Sequence, residues 1–126
     1  MHELSLIEAV RDQALAAARA GGATRITAIS LRIGSLAGVE PEALRFAHTV
    51  VMAGTIAAGA ELRIEIEAAE CHCTACDAPF PAPDGCCDCP RCGAISRQLL
   101  RGRDLRLLTL EVVRGCLIPC YVHAKI

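Results

Sequence analysis

The chain opens with apolar residues at helical spacing. Leu4, Ile7, Val10, Ala14 and Ala17 form a stripe, Leu6 and Leu15 widen it, and Glu8, Arg11, Asp12 and Arg19 take the other side. This pattern predicts an amphipathic helix over about 4–20, ended by Gly21-Gly22. Thr27, Ile29, Leu31 and Ile33 then alternate with Ala28, Ser30 and Arg32, which is a strand pattern. Gly34-Ser35-Leu36-Ala37-Gly38 breaks it. A second helix follows, with Pro41 in its first turn and Glu40 and Glu42 complementing its positive end. Leu44, Ala47 and Val51 form its apolar stripe, and Gly54 stops it. From Glu61 to Ala68 the alternation is clean: Leu62, Ile64, Ile66 and Ala68 are expected to face in, with Glu61, Arg63, Glu65 and Glu67 facing out. Leu105 to Val113 reads as a third strand.

Strand, helix, strand predicts a right-handed crossover that sets the first two strands parallel, with the third pairing beside them. The expected fold class is α+β: a three-stranded mixed sheet with two helices on one face, plus a small cysteine-rich lobe inserted before the last strand. The predicted domains are 1–69 with 102–113, the lobe 70–101, and a tail 114–126. Hinges are expected near Glu70 and near Arg101-Gly102-Arg103. The tail, RGCLIPCYVHAKI, does not fit the plan and is read as an apolar segment packed on the sheet or on another chain. His48 lies in the second helix, where a surface or core-edge histidine is the expectation rather than a ligand.

Composition narrows the function classes. With 126 residues the chain has room for one core and a small appendage. The apolar content of 53% is aliphatic, with 2 Phe, 1 Tyr and no Trp, so stacking platforms for single-stranded nucleic acid are nearly absent. A net charge of −1 leaves no electrostatic footprint for a phosphate backbone. No apolar run approaches the length of a membrane span. The expectation is a soluble cytoplasmic protein.

Cysteine placement supplies the first chemistry. Seven of the nine cysteines fall between Cys71 and Cys92. Cys73-Thr74-Ala75-Cys76 and Cys89-Pro90-Arg91-Cys92 are two C-x2-C pairs, and such pairs let both sulfurs of a tight turn point at one ion. Two turns facing each other give four thiolates in a tetrahedron, the arrangement of structural Zn²⁺. Pro90 stiffens the second turn, and Gly93 lets the backbone curl so that amides face the sulfurs. The register has rivals, since Cys86 and Cys89 also make a C-x2-C pair and Cys71-His72 stands beside Cys73. Cys71, Cys86 and Cys87 are read as free thiols near the site. Disulfides are set aside because no secretory signal is evident, the cysteine count is odd, and a reducing cytosol fits better.

The amino end supplies the second chemistry. His2 sets an imidazole one residue from the α-amine, so amine, His2 amide nitrogen and ring nitrogen can close two fused chelate rings on one ion. The Glu3 amide, the Glu3 carboxylate or a partner's ligand could fill a fourth place. Nitrogen-rich planar sites suit Ni²⁺ or Cu²⁺. Taken by itself, Met-His at a terminus is more often idle than ligating.

The order of motifs decides the weighting. MHELSL, a helix, ISLRIGSLAGVEPEALRF, AGTIAAGAELRIEIE, the paired C-x2-C and GRDLRLLTLEV together resemble the HypA/HybF family of hydrogenase maturation factors, over residue 1 to about 113. The resemblance implies a nickel metallochaperone that is not an enzyme. It implies Ni²⁺ on Met1, His2 and Glu3, and structural Zn²⁺ on Cys73, Cys76, Cys89 and Cys92. It also implies delivery to the large subunit of a [NiFe]-hydrogenase with a HypB-type GTPase as partner, the carrier being a monomer or homodimer. Asp77 departs from the pattern, standing where a glycine would ease an amide–sulfur contact. The alternative is a zinc-ribbon interaction module with an inert terminus.

Overall fold

The structure is a computed structural model that describes residues 3–83, 85, 87–96 and 98–114, and the backbone of 119–123. Its elements in chain order are α1 (Glu3–Ala20), β1 (Ala23–Gly34), α2 (Pro41–Val51), β2 (Glu61–Glu67), β3 (Glu70–Cys73), β4 (Ala78–Pro81), β5 (Gln98–Arg101), β6 (Leu105–Arg114) and β7 (Pro119–His123). Two helices, a mixed sheet and a second small sheet make the α+β architecture expected from the periodicities. The large sheet runs β2-β1-β6-β7 and the small one β4-β3-β5.

Chain contacts divide the molecule into two compact units. The first comprises Met1–Arg32, Val39–Glu65 and Arg106–Ile126; the second comprises Ile33–Gly38 and Ile66–Leu105. In the first unit, α1 buries Ile7, Val10, Ala14 and Ala18. The stripe is therefore rotated slightly from the expected one, leaving Leu4 half exposed. Alpha-helix α2 buries Leu44, Ala47 and His48 and packs on α1. Its N-cap Glu40 accepts from the Glu42 amide, with Pro41 in the first turn. His48 is 6% exposed, and its Nε2 lies 2.9 Å from the Ala60 carbonyl oxygen. That contact makes it a core histidine with a structural partner.

Two expectations need correction. The inward alternation of β2 fails at Ile66, which is 53% exposed, whereas Leu62 is buried. β2 is an edge strand, and its last residues, Ile66 and Glu67, belong to the second unit rather than the first. The sheet has four strands rather than three, the fourth drawn from the tail expected to pack on the sheet or on another chain. β7 pairs antiparallel with β6, from Thr109↔His123 to Val113↔Pro119. Pro119 sits at the strand's first position, where a missing amide costs least. Residues 115–118 and 124–126 of the tail lie outside the described residues. Glu70 and Arg101 are register partners in the small sheet and lie 3.9 Å apart as an ion pair.

In the second unit, residues 33–38 thread between two crossing segments. Gly34 N donates to Asp104 O at 2.7 Å, Ser35 N to Glu67 O at 2.9 Å, and Leu36 N to Gly102 O at 2.7 Å. Ser35 Oγ accepts from Ala69 N at 3.0 Å. The small sheet projects Cys71, Cys73 and Phe80 into a minor core that also holds Ala82 and Cys89.

Candidate metal centre

Two tight turns build the site. β3 and β4 form an antiparallel pair closing at Cys73↔Ala78, so Thr74 to Asp77 make the first turn. Asp77 completes it at φ 53°, and Gly93 follows the second pair at φ 76°. The left-handed backbone that glycine adopts freely is thus required at both knuckles, and Asp77 meets it as one of the few side chains tolerated there. Its carboxylate lies 3.3 Å from His72 Nε2. The second turn sits in a hairpin held by Cys89 N to Ala94 O at 2.9 Å, Gly93 N to Cys89 O at 2.8 Å and Ser96 N to Cys87 O at 2.6 Å. Arg91 Nη2 ties this turn to the Pro79 carbonyl at 3.3 Å.

The four sulfurs of Cys73, Cys76, Cys89 and Cys92 all lie within 4.8 Å of one another. Cys73 Sγ to Cys92 Sγ is 3.5 Å, and Cys76 Sγ to Cys89 Sγ is 4.0 Å. A tetrahedral Zn²⁺ with bonds of about 2.3 Å has sulfur–sulfur edges of about 3.8 Å, which these distances bracket. The donor set fits a four-thiolate zinc ion. In each pair the first cysteine is buried and the second exposed, so one sulfur anchors the turn in the minor core while the other closes the cage.

Backbone amides prepare the sulfurs for charge. Cys76 N donates to Cys73 Sγ at 3.3 Å. Burial pushes the Cys89 thiol up, but donation from the Arg91 and Cys92 amides outweighs it and brings the group down to about 6. The Cys76 thiol is pushed up to about 12, first by its hydrogen bond to Cys92 and then by that to Cys73. Without a metal, the cluster therefore keeps a thiolate at Cys89 and a proton at Cys76.

Cys71 and Cys87 do not enter the cage, and they are not free thiols as expected. They form a disulfide bond. A sequence signal for it exists: Cys71-x-Cys73 and Cys87-x-Cys89 have the same two-residue spacing. Strand alternation points Cys71 to the same side as Cys73, so the two segments meet at two adjacent rungs. Cys86, the other rival ligand, lies outside the described residues.

At the amino end, Glu3 is the first residue of α1, and Met1 and His2 lie outside the described residues. Glu3 Oε1 accepts from the Glu40 amide at 3.3 Å, which joins the start of α1 to the N-cap of α2.

Comparison with known proteins decides the family. The family model for HypA, described as hydrogenase/urease nickel incorporation metallochaperone, matches residues 1–112. The chain belongs to the HypA family. The hydrogenase maturation factor HypA of a Picosynechococcus species is 42% identical over 113 residues, spanning 90% of this chain and 100% of that one. The HypA of Synechococcus elongatus is 44% identical over 113 residues, with the same coverage. The solution structure of the Ni metallochaperone HypA from Helicobacter pylori superposes with a TM-score of 0.70 at 23% identity, covering 91% of this chain and 100% of that one; it shares the fold. The HypA resemblance read from the motifs is thus borne out. Among the described residues, no helix is long and apolar enough to cross a membrane. Strand β7 lies beyond the stretch that matches the HypA model.

Proposed function

We propose that this chain carries Ni²⁺ at its amino end for insertion into a [NiFe]-hydrogenase large subunit. In this reading Zn²⁺ on Cys73, Cys76, Cys89 and Cys92 holds the small lobe in shape. The observation that carries the reading is the anchoring of Glu3. An 18-residue helix begins at Glu3, whose side chain is bonded to the N-cap of the second helix. Met1 and His2 immediately precede this helix in sequence, and ligands drawn from consecutive residues cost less conformational entropy to gather than ligands spread along a long loop. With Glu3 Oε1 serving as a cap, the α-amine, the His2 and Glu3 amides and the His2 ring form the nitrogen set we assign to nickel.

Such a site suits a carrier. Its ligands come from consecutive residues, so a receiving protein can displace them one at a time. The thiolate cage is closed on four sides, and zinc held that way has about 10–16 kcal/mol of apparent binding free energy. Zinc stays and nickel moves. The sequence has no G-x4-GK[ST] phosphate loop, so nucleotide hydrolysis would come from a partner GTPase of the HypB type. We place this work in the cytoplasm and assign no catalytic step to the chain.

Metal analysis of three preparations tests the assignment. The native-terminus protein should hold one zinc and accept one nickel. His2→Ala and a form extended at the amino end should each keep zinc and lose nickel uptake. Equal nickel uptake by all three would refute the terminal site.

A further inference from the structure

We propose that Cys71 and Cys87 form a reversible two-electron redox latch that makes the shape of the small lobe independent of its metal. The inference rests on the reading of the four cysteines as a zinc site. Cys71 is buried on β3, two residues before Cys73, and Cys87 is half-buried, two residues before Cys89. Their disulfide joins the same two segments that the metal would join through Cys73 and Cys89. Cys71, Cys73 and Cys89 share one minor core, with Cys87 packed against it. The lobe thus has two adjacent cross-links, one requiring an ion and one requiring an oxidant.

The chemistry is thiol–disulfide exchange. Cys87, the more accessible of the two, attacks a low-molecular-weight disulfide, forms a mixed disulfide and releases one small thiol. Cys71 then attacks the Cys87 sulfur and releases the second small thiol. Two protein thiols are oxidised to a disulfide, and one small disulfide is reduced to two thiols, so protons and electrons balance. A dithiol reductant reverses the exchange.

The two states differ in what metal loss does. With the bond formed, Cys71 and Cys87 stay joined across a sequence separation of 16, and the unfolded lobe is entropically restricted. With the bond reduced, removal of zinc leaves the lobe with neither cross-link, held by its minor core and strand pairing. In a cell whose thiols are mostly reduced, the lobe's integrity would depend on zinc. An oxidising shift would preserve the lobe even while its metal is being lost.

The test uses the full-length protein. It is equilibrated across ratios of reduced to oxidised glutathione, alkylated and mapped by mass spectrometry. A single two-electron transition linking Cys71 to Cys87, reversed by dithiothreitol, is expected. Alkylatable thiols at both positions at every ratio, or pairing of either with Cys86, would overturn the proposal. Oxidised and reduced samples, and Cys87→Ser, are then stripped with EDTA and followed by amide hydrogen exchange in β3, β4 and β5. The oxidised form should retain on the order of a hundredfold more protection than the other two. Equal loss in all three sinks the latch. Zinc content is measured before stripping: a reduced chain that binds no zinc refutes the metal reading, whereas one that binds zinc yet keeps its protection after chelation refutes the latch alone.

Discussion

At Gly34 there is no room for a methyl group. A Cβ built there would lie 2.0 Å from the Gly102 carbonyl carbon, and one on Gly102 would lie 2.4 Å from Ala69 Cα. Three backbone segments touch directly, so the neighbours of an added atom are main chain that cannot rotate away. Gly34→Ala should lower stability by about 3 kcal/mol, as overpacking does at rigid sites, and a urea midpoint reports it. The thiols make the second prediction at this scale. Cys76 holds its proton up to about 12, so at neutral pH zinc must displace it. Cys89, brought down to about 6, is already charged at pH 7 and adds one further displaced proton only as pH falls through that value. Zinc affinity should therefore rise with pH, and more steeply below about 6 than above it. Competition with a chromophoric chelator at several pH values measures both slopes. The knuckle cysteines were legible because a C-x2-C pair is a local turn whose chemistry needs only its own residues. The Cys71–Cys87 bond is not legible locally, because it joins residues 16 apart in sequence and only strand alternation, which puts Cys71 on the same side as Cys73, points toward it.

Elements with an uninterrupted period were read well, and those whose facing changes were not. β1 buries Ile26 and Ala28, then Ile29, Leu31 and Ile33, so its inward side shifts by one residue along the strand. β6 does the same between Leu107 and the pair Leu110 and Val112. Alternation alone assumes one buried side throughout, which holds only while the same layer covers the strand. β7 was illegible for a different reason. Its sequence PCYVH has no clean alternation, and a five-residue edge strand is stabilised by its partner's backbone rather than by its own side chains. That pairing covers the outer edge of β6. A chain shortened to end at Arg114 should expose that row of amides and carbonyls and self-associate more strongly at high concentration. Sedimentation velocity over a concentration series measures this, and the full chain should remain the smaller species.

For the whole molecule, the account assigns two metals two kinds of hold. The terminal amine and His2 must both lose protons to bind nickel, and their usual values are about 7.7–8.0 and about 6.5. The cage is sulfur-rich, closed and partly charged in advance. Lowering pH from about 8 toward 6 should therefore release nickel while zinc is retained, and elemental analysis of dialysed samples follows both ions. The family and the order of its motifs were readable from the sequence, because they span nearly the whole chain. The contact between Glu3 and Glu40 was not, since it joins residues 37 positions apart and depends on how two helix starts converge. The most direct test of the central claim is nickel-edge X-ray absorption on native-terminus protein holding one zinc and one nickel. The account predicts a nickel shell of nitrogen and oxygen with no sulfur; thiolate sulfur bound to nickel, with the amino end still free to react with an amine reagent, would contradict it.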